Sequence, residues 1–63
     1  MYNYKYYEID KNNKYKEEYL CYSDIAMDLG VTRNVIAGKF YRARKKNIDI
    51  ITVNNKKFKR IKQ

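Results

Sequence analysis

Histidine, tryptophan and proline are absent, cysteine occurs once, and glycine occurs only twice in 63 residues. Each gap closes a class of chemistry. With no histidine and the single thiol of Cys21, neither an internal disulfide nor the usual structural zinc site can form. The same gap removes the common general bases and the partners of a catalytic triad, so no enzyme is expected. Cys21 is read as a small, partly buried apolar residue rather than a nucleophile or redox group. Glu17 and Glu18 are adjacent and point apart on a strand, and the other N-terminal carboxylates lie among lysines, so no acid–base or metal pair is expected and no cofactor is implied. No run approaches the roughly 18 apolar residues of a membrane span, and the first residues lack the basic-then-apolar order of a secretory signal. A cytoplasmic protein with no membrane partner is the expectation.

What is present is positive charge, unevenly placed. Fifteen Lys and Arg face seven Asp and Glu, a net +8. Residues 1–28 hold four basic and six acidic side chains, whereas residues 29–63 hold eleven basic and one acidic. Solubility alone would not require that asymmetry, so the C-terminal half is read as the carrier of a face for a polyanion. A chain this short makes one domain, residues 1–63, and buries only about 60% of its unfolded surface, leaving room for one core and not for a deep cleft. Lys, Asn, Ile and Tyr make up 33 of the 63 residues, and their A/T-rich codons suggest an AT-rich genome.

Local pattern predicts an α+β fold. Seven of the eight tyrosines fall between Tyr2 and Tyr22, around the polar run Asp10–Lys14. Tyrosine favours strands and Asn12-Asn13 favours a tight turn, so a hairpin is expected with strands at Tyr4–Ile9 and Tyr15–Leu20. An extra helix from about Lys14 competes, because Tyr15, Tyr19 and Tyr22 recur at helical spacing. These tyrosines are read as core and sheet-face residues in preference to base-stacking platforms. From Tyr22 the helical signal sharpens. Ser23 and Asp24 are candidate caps, Ile25, Ala26 and Leu29 form an apolar face, and Gly30 fits a left-handed terminus. Val31 re-enters the core, Thr32 can cap a second helix, and that helix runs to Lys46. The β-branched run Ile48–Val53, the pair Asn54-Asn55 and Lys56–Ile61 then predict a second hairpin. Its register is open, because Phe58 and Ile61 differ by an odd number and face opposite sides of a regular strand.

The segment from Tyr22 to Ile36 resembles the helix-turn-helix of bacterial and phage transcriptional regulators. In that family a small residue, a turn glycine and two apolar residues lock the helices together, and Ala26, Gly30, Val31 and Ile36 stand at those places. The Asn54-Asn55 hairpin is similar to the wing of a winged helix. The resemblance implies a sequence-specific regulator of a phage or mobile element, acting on double-stranded DNA in the cytoplasm of a bacterial host or phage-infected cell. Its recognition helix, 32–46, would lie in the major groove. A homodimer paired through the tyrosine-rich hairpin is a candidate assembly, since such proteins gain specificity from paired half-sites.

A helical wheel reaches the same face independently. At about 100° per residue, Ile36, Phe40 and Ala43 form one stripe, and Asn34, Gly38, Tyr41, Arg42 and Lys45 lie opposite. An amide suits adenine, an arginine suits guanine, a lysine suits phosphate, and a glycine admits close backbone approach. Arg33 and Arg44 flank this face. Lys56 and Lys57 of the second hairpin are candidate phosphate contacts; with Lys59 and Arg60 they equally suit an edge strand protected from aggregation. Two other classes share these features: a small phage inhibitor directed at a protein partner, such as a host nuclease or CRISPR complex, and a small RNA-binding protein that stacks bases on its tyrosines.

Overall fold

The computed structural model describes residues 3–63, so Tyr2 of the tyrosine-rich segment lies outside the described residues. The elements are β1 (Tyr4–Ile9), β2 (Tyr15–Tyr19), α1 (Tyr22–Leu29), α2 (Arg33–Lys45), β3 (Ile50–Val53) and β4 (Lys56–Lys62). The four strands form one antiparallel sheet in the order β2-β1-β4-β3. The expected α+β architecture is present. Residues 15–19 form a strand and not the competing helix, because Tyr19 enters the core beside Tyr6, its register partner on β1.

Three asparagine-rich turns and one glycine set the connections. At Asp10–Lys14 the Asp10 carboxylate accepts from the backbone N–H of Asn12 at 2.8 Å and of Lys14 at 2.9 Å. Asn13 takes φ 63°, giving a turn closed by a left-handed residue. Between Asn54 and Asn55 both φ values are positive, 51° and 65°, the combination a two-residue hairpin needs to match strand twist. Gly30, at φ 70°, ends α1: Val31 N–H donates to the Ala26 carbonyl and Gly30 N–H to that of Met27. This pair of hydrogen bonds satisfies two of the carbonyls that a helix end leaves free. Asn47, at φ 59°, repeats it at the end of α2, where Ile48 N–H donates to the Ala43 carbonyl and Asn47 N–H to that of Arg44. That bond removes Ile48 from the strand it was expected to begin, and β3 starts at Ile50.

The helix starts differ from expectation. Cys21, half-buried, is the N-cap of α1, so Ser23 and Asp24 fall inside its first turn and make no cap hydrogen bond. Asp24 there still opposes the positive end of the helix dipole. Thr32 occupies the N-cap of α2, yet its hydroxyl caps nothing; the Val35 N–H bonds the Thr32 carbonyl.

Alternation along paired strands places Tyr6, Tyr19, Ile51, Val53 and Phe58 on one sheet face, and Ile25, Ala26, Ile36 and Phe40 of the helices pack on them. Phe40, Phe58, Ile25 and Ile36 are fully buried, each contributing about 1.5–3 kcal/mol by leaving water. Aromatic contacts run between and within the layers: Tyr6 meets Phe40 across them at 5.3 Å, Tyr22 stacks on Phe40 between the helices at 5.4 Å, and Tyr19 lies edge-on to Phe58 within the sheet at 5.8 Å. The Tyr19 hydroxyl donates to Asp28 Oδ2 at 2.7 Å, tying β2 to α1. Both helices lie on this face, and the other sheet face carries no helix. No helix among the described residues is long and apolar enough to cross a membrane.

Apart from its two chain neighbours, nothing lies within 4 Å of where a Gly30 Cβ would sit, so replacing it tests backbone strain rather than packing. Gly30→Val is expected to cost about 1–2 kcal/mol, a melting temperature lower by several degrees, about 4–8 °C per kcal/mol for a domain of this size. Gly30→Asn should lose less, since asparagine tolerates the left-handed region. Equal melting temperatures for wild type and the valine variant in a thermal denaturation scan would refute this role for Gly30.

Candidate nucleic-acid interface

The interface is built on α2, which is held down by Ile36 and Phe40 and by the half-buried Ala43. That anchoring turns Asn34, Tyr41, Arg42 and Lys45 to solvent, with Tyr41 56% exposed; Gly38 among them is half-buried. The Arg42 guanidinium folds back over Gly38, its Nη1 3.4 Å from where a Cβ would sit. Lys45 Nζ lies 4.8 Å from the Tyr41 ring centroid, a cation–π contact that orients both side chains. Arg44 is exposed, and Arg33, also exposed, leans back so that its Cζ is 5.6 Å from the Tyr22 ring centroid.

The electrostatics of this helix are uncompensated. The ion pairs among the described residues are Lys5–Glu18 at 3.5 Å, Lys16–Glu8 at 3.7 Å and Arg60–Asp49 at 2.9 Å. None takes a cation from α2. Arg33, Lys39, Arg42, Arg44 and Lys45 therefore share one helix with no carboxylate partner among the described residues.

Two basic residues that the wheel did not select belong here. Lys39 and Lys46 line an open groove between α2 and β3 together with Arg42, Ile50 and Thr52. Their spacing of seven residues, with Arg42 between them, puts them on one flank of the helix, a signal available in the sequence.

The C-terminal hairpin departs from a free wing. β4 pairs with β1 on one side and β3 on the other, and β2 and β3 are the edges. Protection of an edge strand therefore does not account for Lys57, Lys59 or Arg60. Arg60 is instead engaged with Asp49 and with the Tyr4 ring, 4.6 Å from its centroid. Lys56 and Lys57 point to opposite faces: Lys56 opposes the core residue Val53, whereas Lys57 opposes Thr52 and Ile9. Only Lys56 shares the helix side of the sheet with α2.

The tyrosines divide by burial. Tyr6 and Tyr19 are core residues whose hydroxyls are held well above the usual tyrosine range, chiefly by burial. Tyr4 and Tyr22 pack against that core. Tyr7 and Tyr15 stack on each other at 4.6 Å on the helix-free face. Among the described residues no three His, Cys, Asp or Glu side chains gather in a way that could hold a metal ion.

No protein family model, curated protein or solved structure matches this chain.

Gly38 separates a structural from a binding requirement. Its backbone is not in the left-handed region and a Cβ meets only the movable tip of Arg42, so Gly38→Ala should stabilise α2 by about 1 kcal/mol through helix propensity. A thermal melt is expected to shift upward. A downward shift would mean that the fold itself needs glycine at this position.

Proposed function

We propose that the protein is a sequence-specific DNA-binding regulator of a phage or other mobile element, with α2 in the major groove of double-stranded DNA. The observation that carries this reading is the outward face of α2, where Asn34 and Arg42 stand exposed among cations that have no acidic partner among the described residues. Asparagine can bond an adenine edge and arginine a guanine edge with two hydrogen bonds each, and neither side chain is used by the fold. Arg42 must leave its rest over Gly38 to reach a base, and glycine there lets the helix backbone come close to the groove. Lys39 and Lys46 on one flank, and Arg44 and Lys45 along the helix, supply phosphate contacts that set its position. The bacterial cytoplasm is the corresponding location.

Asn34→Ala and Arg42→Ala are expected to cost about 1–3 kcal/mol each on the preferred duplex, with little loss on random duplex. The preferred site comes from selection in a random duplex pool, and titration on both DNAs measures the difference. Equal losses on the two would reassign these side chains to phosphate. The Gly38→Ala variant should weaken binding to the preferred site despite its higher melting temperature.

Salt provides a second test. If these four cations each neutralise a phosphate, log K falls against log salt with a slope near −3.6, and a fourfold rise in salt weakens binding on the order of 150-fold. Lys39→Gln with Lys46→Gln should flatten that slope by about 2, whereas Lys57→Gln, on the other sheet face, should leave it unchanged. Failure of any duplex to bind at low salt overturns the proposal.

A further inference from the structure

The sheet face away from the helices is a second surface, and α2 takes no part in it. Strand alternation assigns Tyr7, Lys57 and Lys59 to it, and Tyr15, opposite Ile9 and stacked on Tyr7 with an interplanar angle of 16°, belongs to it as well. Tyr15 is 51% exposed, so one face of the two-ring stack is open to a third planar group. Lys57 is exposed, Lys59 is half-buried beside Tyr7 in register, and neither has a carboxylate partner among the described residues. Glu18 stands on the same face but is already paired to Lys5. The face thus offers an aromatic step for a base next to free ammonium groups for phosphates.

From this juxtaposition we infer that the open sheet face binds single-stranded DNA, with a base stacked on Tyr15 and the adjoining phosphates held by Lys57 and Lys59. Stacking on an aromatic ring accepts any base, and a positive track beside it follows the backbone, the combination that single-strand binding requires. Charge decides against a second copy as the occupant, because face-to-face association would set these lysines against an equally cationic surface. The choice of DNA over RNA rests on the function proposed above. At the Asn54–Asn55 turn Lys56 and Lys57 lie on opposite faces of the sheet, so one polyanion can pass from the helix side to the open side around that end. A DNA strand leaving an opened duplex would meet this surface.

The test uses the full chain and fluorescence anisotropy at low salt with labelled oligo(dT) and oligo(rU) of about 15 nucleotides, beside a labelled duplex. Tyr15→Ala is expected to weaken oligo(dT) binding on the order of 10- to 100-fold and to leave duplex binding unchanged. Tyr15→Phe, which keeps a stacking ring, should restore it. Lys57→Gln with Lys59→Gln should flatten the salt slope on oligo(dT) by about 1.4. Arg42→Ala should not affect oligo(dT) at all. Oligo(dT) binding that is undetectable, or that is indifferent to Tyr15→Ala, overturns the inference, as does tighter binding of oligo(rU). A Tyr15→Ala variant that converts a dimer to a monomer in sedimentation equilibrium gives the face to a second copy and also overturns it. If the duplex fails to bind while oligo(dT) responds to Tyr15, the reading of α2 falls and this one stands.

Discussion

The pairing of β1 with β4 holds the molecule together. Two-stranded hairpins are marginal in water, and helices of eight and thirteen residues have little stability of their own. Joined along β1 and β4, the two hairpins become a four-stranded sheet broad enough to receive both helices. The join closes a loop that contains β2, α1, α2 and β3, at an entropic cost that grows only slowly with its length. What offsets that cost is concentrated at Phe58, which lies between Glu8 and Ile51 in register, touches Tyr19 and is fully buried. No disulfide assists it, since Cys21 is unpartnered.

That pairing is also where sequence pattern stopped. The elements themselves were legible, because each is marked locally: strand-favouring tyrosines in β1, Gly30 after the apolar face of α1, and Asn54-Asn55 between β-branched and basic runs. Partners across the chain leave no such mark, so the β3–β4 hairpin resembled a separate wing and its lysines resembled edge protection. The odd spacing of Phe58 and Ile61, which left the register open, has a simple origin: Phe58 faces the helices and Ile61 the open side. Positions of caps were misjudged for a different reason. Ser23, Asp24 and Thr32 have the right chemistry, but a cap also needs its side chain aimed at free N–H groups, and none makes that bond. In the candidate site the outward face of α2 was legible from periodicity alone, whereas Lys39 and Lys46 needed the position of β3 to show what they flank.

The two helices treat local rules differently. α1 follows most of them, with an acidic residue in its first turn, a left-handed glycine at its end, and Ile25 and Ala26 buried, although its N-cap Cys21 makes no cap bond and Met27 is exposed. α2 breaks several on its solvent side. It has no acid in its first turn and starts with a cation, Arg33, where the dipole favours an anion. It carries glycine in its interior, and Tyr41 and Val35 are exposed. Its buried side shows no such conflict. Two of these departures are partly offset inside the fold, Arg33 by the Tyr22 ring and Tyr41 by Lys45; local conflicts left on a solvent face are what the proposed nucleic-acid contact of α2 would account for.

A two-layer domain must leave one side of its sheet to water, and antiparallel sheets usually do so with polar side chains alternating against the core. Here the water side instead holds a stacked tyrosine pair beside lysines on an inner strand. Stacking holds Tyr7 and Tyr15 near-parallel while Tyr15 stays half exposed, so the base inferred above would meet a ring that is already ordered. The lysines of β4 are likewise fixed in spacing by strands on both sides, which an edge strand could not do. The pairing that stabilises the fold therefore also sets the geometry of the face it leaves open.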